Sequence, residues 1–398
     1  MKIICTSKVS KAGGWLSCFL ITAIVLSIGC RKNNNVDDKD LRDFQQVNLV
    51  ANNGEYSAAH VDPTLQNAWG LAWSPTGIAW VNSLSGHVSE LYTSEGAIVR
   101  PPVNIPSPAD TIGGLPTGIV FNSTKGFKLP NGANAAFIFV GVDGVVSAWN
   151  GAAGNNAFRI GNNSATSSYT GLTLAASGGH NYLYAANFKT GKIDVWDTTF
   201  APVTWMPFKD PSVPGGYAPF NIQSVGTWLF VQYAKVGPDG RDQAGAGNGF
   251  VDVFNTDGSF VKRFASRGKL NAPWGIVQAP GSFLDDHDMN DDDDNGDNHG
   301  SNSGKGSNGK DDNGHHDRKP TDPVILVGNF GDGRINAYTL DGKFLGQLQS
   351  HNRTIVIDGL WALSFAPATA TTIDPNRLYF TAGPDKEMDG LFGYLIKQ

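Results

Sequence analysis

The sequence has 398 residues, 40% of them apolar, with 49 glycines, 21 prolines and a formal net charge of −6 at pH 7. That length and composition allow one large all-β domain or two smaller ones. No basic stripe is present, which excludes a nucleic-acid partner held by electrostatics.

In chain order, residues 1–30 read as an export signal. Lys2, Lys8 and Lys11 supply a basic start, and residues 15–28 form an uncharged, mostly apolar core shorter than the ~18 residues that span a bilayer. The core ends at Leu26-Ser27-Ile28-Gly29-Cys30, which resembles a bacterial lipobox with Ser27 where leucine is preferred. Trp15-Leu16-Ser17-Cys18 is a rival with almost no apolar core ahead of it. Of Cys5, Cys18 and Cys30, cleavage before Cys30 leaves one cysteine, so no intramolecular disulfide forms. Residues 31–44 then read as a polar tether. The expectation is an exported lipoprotein of the bacterial cell envelope, held to the membrane through lipidated Cys30.

From residue 45 onward a pattern recurs. Its clearest copy is Gly328-Asn329-Phe330-Gly331-Asp332-Gly333 between an apolar run at 324–327 and an alternating run at 334–338, which is a β-hairpin. Each copy is preceded by a small residue flanked by larger ones: Trp69-Gly70-Leu71, Thr117-Gly118-Ile119, Thr170-Gly171-Leu172, Phe220-Asn221-Ile222, Trp274-Gly275-Ile276 and Trp361-Ala362-Leu363. These triads stand about 50 residues apart, save a longer last step, and a strand-rich repeat of that length signals a propeller blade. The spacing predicts an all-β, six-bladed β-propeller over residues 45–398. The last unit supplies only three strands, so residues 45–50 are expected to close it and remove an exposed edge. The recurring aromatics Trp69, Trp274 and Trp361 on inner strands, and Tyr92, Trp149, Trp196, Phe254 and Tyr338 on third strands, are read as packing between neighbouring blades.

Residues 284–320 interrupt blade five with an Asp-, Asn- and Gly-rich stretch that carries more net negative charge than the whole chain. It has too few apolar groups to offset its ordering entropy and reads as a disordered insertion. Asp291, Asp293, Asn295 and Gly296 fit the opening of an EF-hand-like calcium loop, but Asn302 stands where a bidentate glutamate belongs. Calcium or another divalent cation is therefore the cofactor to test, and no cofactor is demanded.

No nucleophile elbow, zinc helix or paired-cysteine metal site is present. A propeller assembles its site at the channel mouth from one or two residues per blade. The polar groups beside the inner strands are His60, Asp62, Asn67, Asp110, Asn221 and Asp358, with His60 the base that titrates near neutrality. Asn82, Asn187 and Asn329 are expected to close their own hairpins.

With Trp69-Gly70-Leu71-Ala72, the 328–338 hairpin, Asp358-Gly359-Leu360-Trp361 and Tyr379-Phe380-Thr381-Ala382-Gly383-Pro384 in view, the chain resembles a group of exported bacterial proteins of unassigned activity. The resemblance implies a six-bladed propeller. More distantly the chain is similar to NHL-repeat and gluconolactonase-like propellers, and the latter class implies a divalent cation in the channel. The leading expectation is a monomeric, lipid-anchored binding or interaction module whose ligand is a small molecule, a glycan or a protein. The alternative is a metal-dependent hydrolase or lyase with its site in the channel.

Overall fold

The computed structural model describes residues 40–284 and 323–398. The export signal, Cys30, most of the tether, and the insertion from residue 285 with Asp291, Asp293 and Asn295 lie outside the described residues. Among the described residues no helix is long and apolar enough to cross a membrane.

Six antiparallel sheets account for nearly all regular structure, each a meander from an inner to an outer strand. The inner strands are Ala68–Trp73, Pro116–Phe121, Tyr169–Ser177, Tyr217–Val225, Pro273–Ala279 and Leu360–Ser364, one for each expected triad. Blade 4 is the most regular, with Trp228–Lys235, Gly249–Asn255 and Phe260–Ser266 following its inner strand. In blade 6, Leu378–Ala382 and Leu391–Lys397 are followed by the N-terminal strand Phe44–Ala51, which pairs antiparallel with Leu391–Lys397. The ring is thus closed by both ends of the chain, and the closing strand buries Phe44, Leu49, Val50 and Ala51.

The small residue of each triad sits at a β-bulge. Register shifts fall at Ala68/Leu71, Pro116/Ile119, Tyr169/Gly171, Pro219/Asn221, Pro273/Ile276 and Leu360/Leu363. A bulge bends a strand and increases its twist, and here it lets adjacent inner strands approach at the axis. A Cβ on Gly70 would lie 2.1 Å from the Thr117 carbonyl oxygen, and one on Gly171 would lie 2.1 Å from Asn221 Oδ1.

Third-strand aromatics pack against the preceding blade, as expected. Tyr92 meets Phe392 of blade 6, Trp149 meets Trp80 of blade 1, and Tyr338 meets Phe264 of blade 4. The inner-strand tryptophans behave differently. Trp69, Trp274 and Trp361 gather on one another at the axis, with Trp69 and Trp361 stacked at 3.5 Å, and Phe330 from the blade 5 hairpin caps Trp361 at 3.9 Å. They plug the channel instead of filling the gaps between blades, because the bulge turns the residue before the small one toward the axis.

Candidate functional site at the channel mouth

In a four-stranded meander, the loop entering the inner strand and the loop joining the second and third strands emerge at the same end. Around the ring these loops form one face. On it opens a cavity of about 460 Å³ to which five of the six blades contribute. Its deepest wall is the aromatic plug, through Trp69, together with Thr170, Phe188 and Phe220; its mouth is shaped by residues 240–242 of blade 4 and 386–388 of blade 6.

The blade 6 loop is held in an uncommon conformation. Asp385, Lys386 and Glu387 have φ of 50°, 57° and 70°, three successive non-glycine residues in the left-handed region, each costing of order 1–3 kcal/mol. The surroundings hold the loop in place. Asp358 Oδ2 accepts from the Asp385 N–H at 3.0 Å, and the Glu387 carboxylate accepts from Asn67 Nδ2 at 2.9 Å and from Arg241 at 2.5 Å. Asn67 itself has φ of 49° and accepts the Trp361 Nε1–H at 2.8 Å through its Oδ1. One buried amide therefore joins the aromatic plug to the charged rim.

Beside Glu387, Asp242 lines the cavity, and burial together with the Glu387 charge pushes its carboxyl up to about 6. On the floor, two buried polar atoms have no hydrogen-bond partner: Trp69 Nε1, on a residue 4% exposed, and Thr170 Oγ1, on one 5% exposed. The other plug tryptophans are satisfied, since Trp274 Nε1 donates to the Thr170 carbonyl at 2.9 Å.

Of the residues singled out from sequence, the structure brings Asn67 to the cavity and Asp358 to the loop beside it. Asn221 lies deeper on its inner strand, donating to the Trp274 carbonyl at 2.8 Å and leaving Oδ1 unpaired against a second cavity of about 40 Å³, room for about one water. The others sit elsewhere. His60 is exposed on the outermost strand of blade 6, paired parallel to Val50, because the closing strand carries the chain to the rim before it returns inward. Asp62 is buried on that return path, accepting from Tyr92 Oη at 2.8 Å. Asp110 is exposed in the connection from blade 1 to blade 2, where its carboxylate accepts from the Thr111 N–H at 2.6 Å. Asn187 closes its own hairpin by accepting from Thr190 N, whereas Asn82 donates across to the Thr117 carbonyl of the next blade.

Arg241, Asp242, Lys386 and Glu387 escaped sequence reasoning. The available signal was length: the second-to-third-strand connections of blades 4 and 6 are longer than the tight Asp-Gly and Thr-Gly turns of the other repeats, and both extra lengths occupy the same position in the blade.

Among the described residues no group of three or more His, Cys, Asp or Glu side chains converges to hold a metal ion. The mouth holds two carboxylates, Asp242 and Glu387, beside two cations, Arg241 and Lys386, with Glu387 ion-paired to Arg241, a donor set that does not fit a divalent cation, which seeks six or more oxygens.

No family model matches the sequence. An uncharacterized protein of Acanthamoeba polyphaga mimivirus is 31% identical over 366 residues, covering 88% of this chain and 80% of the relative. A second uncharacterized protein of the same virus is 32% identical over 375 residues, covering 88% and 86%. The chain belongs to their family. These relatives are viral, where the motif resemblance pointed to exported bacterial proteins; what stands of that resemblance is the six-bladed propeller of this chain. Among solved structures, a streptogramin B lyase is similar at 11% identity with a TM-score of 0.47, covering 88% of this chain and 96% of that one. The virginiamycin B lyase from Staphylococcus aureus is similar at 12% identity with a TM-score of 0.46, covering 89% and 99%. Likeness at that level carries no information about activity.

Proposed function

We propose that the protein is a binding module that takes a small organic molecule in the cup at the channel mouth. The observation that carries this reading is a half-open cavity of about 460 Å³ lined by Trp69 and Thr170, whose Nε1 and Oγ1 are buried and unbonded. A buried donor without a partner costs about 1–3 kcal/mol, and a ligand that bonds it recovers that cost. The volume lies in the usual range for small-molecule sites, and the mix of apolar wall with a few convergent polar groups suits one. Two of the ligand classes expected from sequence are less well supported. The cup is too narrow for a folded protein, and the tryptophan faces that would stack on a sugar are covered by one another and by Phe330. A metal-dependent hydrolase or lyase would need several oxygen ligands converging in the channel, and among the described residues no group of three or more His, Cys, Asp or Glu side chains converges.

The test is thermal unfolding of the full chain against a library of small organic molecules, repeated on Trp69→Phe, which keeps one aromatic ring against Trp361 and removes the N–H with the pyrrole half of the indole. A molecule present at ~100 times its dissociation constant stabilises the folded state by ~2.7 kcal/mol. Stabilising molecules are expected, and their effect is expected to shrink in the variant. A library without stabilising molecules, or stabilisation indifferent to Trp69→Phe, overturns the reading.

A further inference from the structure

The polar groups of the cup also specify the kind of molecule it takes, an argument that rests on the cup being a small-molecule site. Burial orders these groups by depth. At the bottom lie Trp69 Nε1, a donor, and Thr170 Oγ1, a donor or acceptor, both buried and both without a partner. No charged side chain lines that level, so the atom that meets them is a neutral one that accepts from Trp69, and a hydroxyl does this whichever role Thr170 Oγ1 takes. Trp69 is the exception among the plug tryptophans, since Trp274 and Trp361 both donate to protein oxygens.

Around and above these groups the wall is mostly apolar, formed by Leu84, Val142, Phe188 and Phe220 with Ser85 and Ser168 among them. At the rim stand four charged groups. Arg241 and Glu387 are paired with each other, and Glu387 is bonded to Asn67 as well. That leaves Lys386, an exposed cation with no ion-pair partner among the described residues, and Asp242, a carboxyl with none. Asp242 is raised toward 6 by burial first and by the Glu387 charge second, and the Arg241 charge, which acts the other way, does not reverse this. The rim thus offers one unpaired charge of each sign over an apolar wall and a neutral hydrogen-bonding floor.

We infer that the ligand is a small zwitterion whose apolar body ends in a hydroxyl, as in an α-amino acid with a phenolic side chain. The hydroxyl meets Trp69 and Thr170, the carboxylate meets Lys386, and the ammonium meets Asp242.

Titration calorimetry of the full chain with L-tyrosine, tyramine, 3-(4-hydroxyphenyl)propionate and L-phenylalanine separates the three contacts. L-tyrosine is expected to bind. Removing its carboxylate, ammonium or hydroxyl in turn is expected to weaken binding about tenfold or more each time, since a site built around a polar group discriminates against its loss. Lys386→Gln is expected to weaken L-tyrosine and leave tyramine unchanged, and Asp242→Asn to weaken L-tyrosine and leave the propionate unchanged. Lys386 is exposed and Asp242 half-buried, and Asp242→Asn preserves shape. Equal affinity of all four probes, or no binding by any at millimolar concentration, overturns the inference. If library molecules still stabilise the protein in a Trp69-dependent way while these probes do not, the small-molecule site stands and the zwitterion falls. If neither binds, both fall.

Discussion

Glu90 lies on the third strand of blade 1, 1% exposed, and shares the hydroxyl of Thr64 with Asp62: Thr64 Oγ1 is 2.5 Å from Glu90 Oε1 and 2.6 Å from Asp62 Oδ1. One hydroxyl proton cannot serve two carboxylates, so a proton on Glu90 completes the cluster. Burial first, and the Asp62 charge as well, push the Glu90 carboxyl up to about 7 from its ordinary 4.5. An acid raised in the folded state binds more protons there than in the unfolded chain, so stability falls as pH rises between those two values. The contribution is whole below about 4.5 and gone above about 7. A displacement of this size corresponds to roughly 3–4 kcal/mol. The unfolding midpoint is expected to drop between pH 5 and pH 8, and Glu90→Gln, which keeps the shape without the charge, is expected to flatten that profile and raise stability at pH 8. A slope unchanged in the variant would assign the effect to another group.

At the scale of the element, the bulged inner strand is the device that makes the ring. Its small residue permits two inner strands to touch at the axis, and its preceding residue is turned into the channel, where three tryptophans become a plug and the floor of the cup. Gly70 shows the constraint most plainly, because the atom its Cβ would meet belongs to the backbone of blade 2 and has no rotamer through which to escape. Gly70→Ala is expected to destabilise the protein by about 1–3 kcal/mol in chemical unfolding, whereas Gly151→Ala, with open space around the position, is expected to stay within about 0.5 kcal/mol. Equal effects would mean that the close approach is not what fixes the glycine. The loops that carry the cup follow a different rule. Residues 385–387 adopt a left-handed path that no local preference selects, and Asp358, Asn67 and Arg241 from three other segments hold it.

For the whole molecule, closure of blade 6 by Phe44–Ala51 ties the two ends into one sheet, and side chains reinforce the joint. Asp389 accepts from Tyr56 Oη at 2.5 Å, Asn52 Nδ2 at 2.8 Å and Asn53 Nδ2 at 2.9 Å. The same residue's carbonyl accepts from the Asn67 N–H at 3.0 Å, so the clasp of the ring and the rim of the cup share a residue. Removing residues up to 51 would leave Leu391–Lys397 as an open edge and uncover the core positions against which Phe44, Leu49, Val50 and Ala51 pack. Such a truncation is expected to unfold at lower temperature in one cooperative step that includes all blades, read by tryptophan fluorescence and far-ultraviolet circular dichroism together. Loss confined to blade 6, with the rest melting as before, would show that the clasp is local.

Much of this architecture was legible in the chain. The Trp-Gly-Leu-type triads and the Asn-Phe, Gly-Asp-Gly hairpins declare their strands through alternation and turn chemistry, which are properties of neighbouring residues, and the three-strand last unit called for residues 45–50 as its fourth. The site was legible only at Asn67 and, indirectly, at Asp358. Polar residues near inner strands looked equivalent in sequence, yet His60 lies on the outer rim and Asp62 under Tyr92. What the sequence by itself determined is the repeat, its count and its closure, because strand period and turn residues act over a few positions. What only the tertiary structure decided is which side chains meet at the axis. Arg241, Glu387, Asn67 and Trp69 are brought together across blades by the curvature of the ring, and that curvature is the sum of six bulges and six interblade packings that no single segment contains.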